Sequence, residues 1–247
     1  MNMMLEGKIA VITGAARGIG AAVAEIFAAQ GAKGLAIIDI DLAAAESTAA
    51  GISIRTGCEC AAFKADVSDE SDVRAAVAAI MSRFGTIDVL INNAGILKTR
   101  TIDEITTDEW DRTMAINLKG TFLFSRAVLE VMKANRGGKI VNMSSQAGKT
   151  GGAMVGPDYA ASKAAIICLT KTLAKSAAPF NIYVNCVAPG LIESEMTKDF
   201  KYDPSMVPLG RKGTIAEVAN TVLFLASGMS DYVTGTCIDI NGGMSMQ

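Results

Sequence analysis

The sequence predicts an α/β fold, a single doubly wound domain whose seven-stranded parallel sheet carries helices on both faces. Short, β-branched apolar runs alternate with longer segments of helical period, as a parallel sheet with crossover helices requires. A glycine-rich turn joins the first such run to the first helix. Half of the 247 residues are apolar and 19% are charged, which suits one large core. No linker, internal repeat or low-complexity stretch divides the chain.

Lys8–Thr13 (KIAVIT) reads as the first buried strand. It feeds Gly14-Ala-Ala-Arg17-Gly18-Ile19-Gly20 and then AAVAEIFAAQ, an amphipathic helix stopped by Gly31. Strand, glycine turn and helix start, in that order, make a phosphate-binding crossover: the backbone turns tightly and meets a pyrophosphate at the helix N-terminus. The spacing is GxxxGxG rather than GxGxxG, and a plain glycine-rich turn competes with this reading. Leu35–Ile38 is the second strand and ends at Asp39, nineteen residues after Gly20. An acid there is placed to hydrogen-bond an adenosine ribose and to repel the 2′-phosphate of NADP. The alternative is a turn or N-cap aspartate, a place for which Asp41 competes. Arg17 pulls toward NADP, since a guanidinium can meet a 2′-phosphate. The acid at the strand tip favours NAD over NADP.

CECAAFKADV is the third strand, ending at Asp66-Val67, and SDESDVRAAVAAIMSRFG is a helix with acids in its first turn. Asp88–Asn92 is the fourth strand and enters Asn93-Ala94-Gly95. Thr106-x-x-Glu109 is a capping box opening a long helix that carries Trp110, Asn117 and Phe122. Lys139–Met143 runs into Ser144-Ser145, and Ile182–Val187 ends in Ala188-Pro189-Gly190. Thr214-x-x-Glu217 caps another helix before the last strand, Thr236–Ile240. Ligands of an open parallel sheet bind outside the carboxyl ends of its strands. The glycine loop, Asp39, Asp66, Asn92–Gly95, Ser144–Ser145 and Pro189–Ser194 all fall there.

Composition narrows the chemistry. The chain has no histidine, which removes the commonest general base, Ser-His and Cys-His nucleophile pairs, and histidine metal sites. Proton transfer falls to Tyr, Lys, Asp, Glu, Ser or Cys, and no metal site is expected. A net charge of −2 offers no footprint for nucleic acid. The start lacks a charged and then apolar leader, and no apolar run approaches the roughly 20 residues that span a membrane. Five cysteines form neither CxxC pairs nor a disulfide framework, which fits a reducing cytoplasm.

In PDYAASKAAIICLTKTLAKS the period is that of a buried amphipathic helix, and Tyr159 and Lys163 are neighbours on one face. A cation beside a phenol favours phenolate, which is how a tyrosine becomes an acid/base catalyst near neutrality. A core helix with a lysine at its edge gives the same spacing by chance.

TGAARGIG, Asp39, Asp66-Val67, NNAG at Asn92–Gly95, Asn117, the serine after the fifth strand, YAASK and PGLIES together resemble the short-chain dehydrogenase/reductase family over nearly the whole chain. The resemblance implies a Rossmann-type domain spanning residues 1–247, with a substrate lid at about 190–213. It implies a catalytic tetrad of Asn117, Ser145, Tyr159 and Lys163. Tyr159 would exchange a proton with the substrate oxygen while Ser145 hydrogen-bonds it. Lys163 would lower the tyrosine pKa and hold the nicotinamide ribose, and Asn117 would interrupt its helix to hold a water in a relay reaching Lys163. Ser145 rather than Ser144 matches the second serine of the family's SSxxG. For the cofactor, the likeness adds Ile19 at the pyrophosphate, Asp66 and Val67 at the adenine, and Asn93 and Ala94 at its ribose. Pro189, Gly190, Ile192 and Ser194 complete the set, the last two beside the nicotinamide, where threonine is more usual than Ser194. The Ser145–Tyr159 interval is one residue longer than usual, which puts the pocket shape in doubt.

The lid carries Met196, Phe200, Tyr202, Met206 and Val207, and Leu97, Met154 and Val155 come from other loops. These give a partly apolar pocket, unless several only pack the lid on the body. Lys98, Arg100, Lys149, Lys198 and Lys201 could attract an anionic substrate or be solvated surface charges. The whole-chain likeness runs to the 3-oxoacyl-carrier-protein reductases, down to VPLGRKG and NGGM. Three departures stand against that activity: Asp39 argues for NAD, the lid is shorter, and Arg136 matches one carrier-binding basic residue while Phe180 replaces the other. The expectation is therefore an NAD-dependent dehydrogenase of a secondary alcohol or ketone, such as a polyol, hydroxy acid or steroid. An NADPH-dependent acyl reductase is the alternative, and a non-catalytic dinucleotide sensor the reading from another class. The long helices at Thr107–Ala134 and Asp158–Ala178 present small or apolar faces, so a homo-oligomer, dimer or tetramer, is expected.

Overall fold

The computed structural model describes residues 3–152, 154–198 and 203–246. Its strands are β1 (Ile9–Thr13), β2 (Gly34–Asp39), β3 (Glu59–Lys64), β4 (Val89–Asn92), β5 (Gly138–Met143), β6 (Ile182–Pro189) and β7 (Cys237–Ile240). They form one parallel seven-stranded sheet in the order β3-β2-β1-β4-β5-β6-β7. The order reverses at β1, which pairs with β2 on one side and β4 on the other. Connections leave the sheet in opposite directions there and open a crevice at the strand ends. β1 and β4 are buried along their whole length, as strands covered on both faces must be.

Helices α1 (Gly18–Ala29), α2 (Leu42–Thr56) and α8 (Ile215–Ala226) cover one face of the sheet. Helices α3 (Glu70–Phe84), α5 (Gly120–Asn135) and α7 (Pro157–Ala177) cover the other, and the short α6 (Ala147–Thr150) follows β5. Successive strand residues point to opposite faces, so Ile37 joins the core that holds Phe27, Ile52 and Val222 while Ile38 joins the one that holds Ile80, Leu90 and Phe124. The capping boxes at Thr106/Glu109 and Thr214/Glu217 are both formed.

Three local outcomes differ from the sequence expectation. The third strand stops at Lys64, because the Asp66 side chain accepts from the Ser68 amide at 2.9 Å and turns the chain toward α3. The alanine-rich α2, which no motif had singled out, is capped by Asp41, whose Oδ1 accepts from the Ala44 amide at 3.1 Å. The long helix from Thr107 is not continuous. It runs as α4 (Thr107–Met114), a π turn at Ala115–Lys119, and α5. Such turns free backbone carbonyls from the regular ladder, and Asn117 lies at the centre of this one.

A buried polar ladder fixes the helices beneath the crevice. Asn92 Nδ2 donates to Ser125 Oγ at 2.9 Å and to Asn142 Oδ1 at 2.8 Å, and Asn142 Nδ2 donates to Thr170 Oγ1 at 2.9 Å. The ladder therefore runs from α5 through β4 and β5 to α7. Each bond contributes roughly 1 kcal/mol, and more is lost if a partner is left unsatisfied.

Candidate active site

The glycine loop after β1 is held close to the neighbouring strand end. Gly14 has φ +61°, and a Cβ there would lie 2.8 Å from Ala94 Cα; at Gly20 it would lie 2.5 Å from the Gly14 carbonyl. Asn93 Nδ2 donates to the Thr13 and Gly14 carbonyls, both at 2.9 Å. Thr13 Oγ1 accepts from the Asn93 and Ala94 amides, both at 3.0 Å. Asn93 and Ala94 thus brace the loop, with the Asn93 amide donors committed to it.

Side chains of Asp41, Asp69, Thr106 and Thr214 cap α2, α3, α4 and α8, whereas no side chain caps α1. Its first turn, Gly18-Ile19-Gly20, offers backbone N–H groups at the positive end of the helix dipole. A cradle only glycines can form and an uncapped N-terminus fit a pyrophosphate.

Asp39 stands at the tip of β2. Its Oδ2 accepts from the Ala16 amide at 3.1 Å and its Oδ1 from the Asp41 amide at 3.2 Å. Asp41, not Asp39, is the helix cap. Arg17 extends toward Asp41 at 3.6 Å with 73% of its side chain exposed. The carboxylate of Asp66 is held below its ordinary range: burial pushes it up, but hydrogen bonds from Ser68 and the Arg112 guanidinium outweigh this. Val67 packs against Gly120, where a Cβ would lie 2.7 Å from Val67 Cγ2.

A cavity of about 390 Å³ opens at the ends of β4, β5 and β6. It brings Ser145, Tyr159 and Lys163 together with Ile19, Asn93, Pro189, Gly190, Ile192 and Ser194. Gly14, Arg17, Gly18, Gly20, Asp39, Asp66, Val67, Ala94 and Asn117 do not line it. Of the lid segment, Leu191 and Glu193 are tied to Gly213 by backbone bonds of 2.9 and 2.8 Å, which pin its base. Phe200, Lys201 and Tyr202 lie outside the described residues. Val207 does not line the cavity; it is buried against Gly242. Leu191 lines it as part of the Pro189–Ser194 stretch, and Gln146 and Met244 line it without having been foreseen. Gln146 follows Ser145 directly, which was the available signal.

The two serines after β5 separate cleanly. Ser144 is buried and its Oγ donates to the Lys163 carbonyl at 2.8 Å, tying β5 to α7. Ser145 Oγ accepts from the Ala147 amide at 3.2 Å, donates to the Pro189 carbonyl at 3.4 Å, and reaches the Tyr159 phenol. Lys163 Nζ donates to the Met143 carbonyl at 2.7 Å and lies 5.5 Å from the centre of the Tyr159 ring. Both groups are buried. Burial pushes the phenol above its ordinary value, with the Ser145 hydroxyl pulling it back in part, and pulls Lys163 down to about 8. The expected lowering of the tyrosine by its lysine is not found in the protein alone: Ser145 is the group that pulls the phenol down, and desolvation disfavours phenolate and ammonium alike.

Asn117 is fully buried in the π turn. Its Oδ1 accepts from the Ile96 amide at 2.8 Å, and its Nδ2 donates to the Ile96 carbonyl at 3.0 Å and Ser162 Oγ at 3.1 Å. The side chain therefore clamps the segment after β4 to α7. At Gly95 a Cβ would lie 3.2 Å from Asn117 Oδ1 and 3.5 Å from Lys163 Nζ, so the two residues flank that glycine. Asp158, also unforeseen, accepts from Thr113 Oγ1 at 2.5 Å and links α4 to the first turn of α7 beside Tyr159.

Residues 14–245 match the family model described as enoyl-(acyl carrier protein) reductase. The chain belongs to the short-chain dehydrogenase/reductase family. It is 40% identical to a sorbitol dehydrogenase of Cereibacter sphaeroides, covering 98% of each chain. It is 39% identical to the 3-oxoacyl-[acyl-carrier-protein] reductase FabG of Salmonella typhimurium, covering 99% of this chain and all of that protein. A 3-oxoacyl-[acyl-carrier protein] reductase of Brucella melitensis, solved with bound NAD, superposes with a TM-score of 0.92 at 37% identity. The match covers all of this chain and 95% of that one. This short-chain dehydrogenase/reductase is an oxidoreductase with a nucleotide cofactor, and among its described residues no helix is long and apolar enough to cross a membrane.

Proposed function

We propose that the protein transfers a hydride between NAD(H) and a secondary alcohol or ketone, with Tyr159 as general acid/base. The observation that carries this reading is the shared cavity in which the Tyr159 phenol, the Ser145 hydroxyl and the buried Lys163 ammonium meet. A hydroxyl proton must leave as the hydride leaves its carbon, so an acceptor and a donor are needed at one oxygen. With histidine absent, Tyr159 takes that proton and Ser145 Oγ hydrogen-bonds the same oxygen. When bound, an oxidised nicotinamide supplies the hydride acceptor and a positive charge that favours phenolate. Lys163, held by the Met143 carbonyl, adds a second cation whose proton is easily lost at a value near 8. Asn117 Oδ1 keeps an acceptor site beyond its bond from the Ile96 amide, and in this reading it serves a relay water.

Gly14, Gly18, Ile19 and Gly20 hold the pyrophosphate, Asp66 and Val67 border the adenine, and Asn93 and Ala94 support its ribose. Asp39 supports NAD: a second anion at this strand tip repels a 2′-phosphate. Pro189, Gly190, Ile192 and Ser194 flank the nicotinamide. The lid at about 190–213 belongs to a single domain and borders the substrate side through its described residues, among them Met196 and Met206.

An NADPH-dependent acyl reductase is the second reading, favoured by the exposed Arg17 guanidinium and by the likeness to FabG. Against it, Phe180 stands where a carrier-binding base is expected, with Lys133 Nζ 5.1 Å above its ring. A nicotinamide absorbance assay with NAD and NADP over a panel of alcohols, ketones and acyl thioesters tests both. NAD-linked alcohol turnover supports the first reading. Turnover confined to thioesters with NADPH supports the second, and tight dinucleotide binding without turnover overturns both.

A further inference from the structure

The sequence left a polyol, a hydroxy acid or a steroid open as substrate, and the cavity discriminates among them. Its substrate side is built from Leu97, Met154, Val155, Leu191, Met196 and Met206, with Met244 from the C-terminal segment. Among the described residues lining it, Lys163 is the one charged side chain. Four basic residues on the described parts of the surrounding loops are held by carboxylates. Lys98 pairs with Glu109 at 2.9 Å, Arg100 reaches the same carboxylate at 3.7 Å, Lys149 pairs with Asp239 at 2.7 Å, and Lys198 pairs with Glu195. Lys163 Nζ is tied to the Met143 carbonyl.

The neutral polar side chains are committed as well. Ser144 Oγ is given to Lys163, Thr150 Oγ1 to the Gln146 carbonyl, and Ser194 and Thr197 to each other. Gln146 is the exception. Its amide lies against Gly190, where a Cβ would sit 2.9 Å from Oε1, and it has no hydrogen-bond partner among the described residues.

We infer that the substrate is a neutral, mostly apolar secondary alcohol or ketone bearing one hydrogen-bonding group near the reacting carbon, and that Gln146 is the specificity residue that meets that group. This rests on the dehydrogenase reading above. Among the described residues a carboxylate placed here finds no spare cation, and desolvation disfavours it. A polyol carries several hydroxyls into a wall that, among the described residues, offers one free side-chain amide, and each unmatched hydroxyl is penalised.

The test compares ethyl 3-oxobutanoate, 3-oxobutanoate, 2-octanone and fructose as substrates for wild type and Gln146→Leu. The ester should exceed the carboxylate in kcat/KM by about 100-fold, the order expected for an unpaired buried charge. Gln146→Leu should raise the ester's KM about tenfold, the effect of one lost hydrogen bond, with kcat and the 2-octanone values unchanged. Carboxylate or sugar turned over as well as the ester would overturn the inference. So would a Gln146→Leu loss shared equally by ester and 2-octanone. Calorimetry of the NAD-saturated protein with cyclohexanecarboxamide and cyclohexanecarboxylate judges the pocket without turnover. Tighter amide binding supports the inference, and equal or tighter carboxylate binding sinks it. No turnover of any substrate would instead overturn the dehydrogenase reading alone.

Discussion

Lys163 Nζ lies 5.5 Å from the centre of the Tyr159 ring and spends a 2.7 Å hydrogen bond on the Met143 carbonyl, with no carboxylate paired to it among the described residues. A buried ammonium so placed is held for chemistry at the expense of stability, and its titration should be visible in unfolding experiments. Burial lowers it from 10.5 to about 8. Below about 8 the folded state bears the full penalty, roughly 3 kcal/mol for a shift of this size. Between about 8 and 10.5 the unfolded chain keeps the proton that the folded one has lost, so stability rises with pH through that window.

Lys163→Met should therefore remove this rise. Urea unfolding of the dinucleotide-free protein from about pH 7 to 10 should show a steeper gain for wild type than for the variant. Parallel profiles would mean that Lys163 is not a buried cation in the folded state.

Asp39→Ala should shift cofactor choice. Removing an anion that also accepts from the Ala16 and Asp41 amides takes away the proposed ribose partner and a source of repulsion. The NAD-to-NADP ratio of kcat/KM should fall by roughly ten- to a hundredfold, the range of one charged hydrogen bond. An unchanged ratio would transfer the decision to Arg17.

Asp158→Ala should act on the geometry beneath Tyr159. The Thr113–Asp158 bond crosses from α4 to the first turn of α7 within a buried environment. Its loss should lower stability by about 1–3 kcal/mol in denaturant titrations. Rescue by Asp158→Asn, which keeps the acceptor, would show that the bond and not the charge matters.

Trp110 and Phe122 leave apolar surface exposed on α4 and α5. Buried between subunits, such surface stabilises a dimer or tetramer. Light scattering should find one of these, with Phe122→Asp shifting the mass downward. A monomeric wild type at working concentration would refute the expectation.

The fold was legible because its signals are local. A fully buried strand such as Ile9–Thr13 is an unbroken apolar run, and the capping boxes at Thr106 and Thr214 announce their helices. The third strand was drawn too long because apolar residues continue past Lys64, and only the Asp66–Ser68 turn ends it. The candidate site was legible as motifs, but what each side chain touches was not. Asn93 and Asn117 are spent on bracing the glycine loop and the Ile96 segment, contacts made across 79 and 21 residues of chain. No spacing rule carries that information. Gln146 and Asp158 carry no motif, and their importance comes from what lies opposite them: an apolar wall for one and Thr113 for the other.

Dinucleotide binding and turnover measured side by side on Tyr159→Phe test the proposed chemistry most directly. The phenylalanine keeps the ring that packs against Leu97 and Val155 and removes only the proton-carrying oxygen. NAD affinity should stay within about twofold of wild type while kcat drops by roughly 10²–10⁴, the usual share of general acid/base catalysis. A folded, NAD-binding Tyr159→Phe enzyme that turns over at near the wild-type rate would contradict the mechanism.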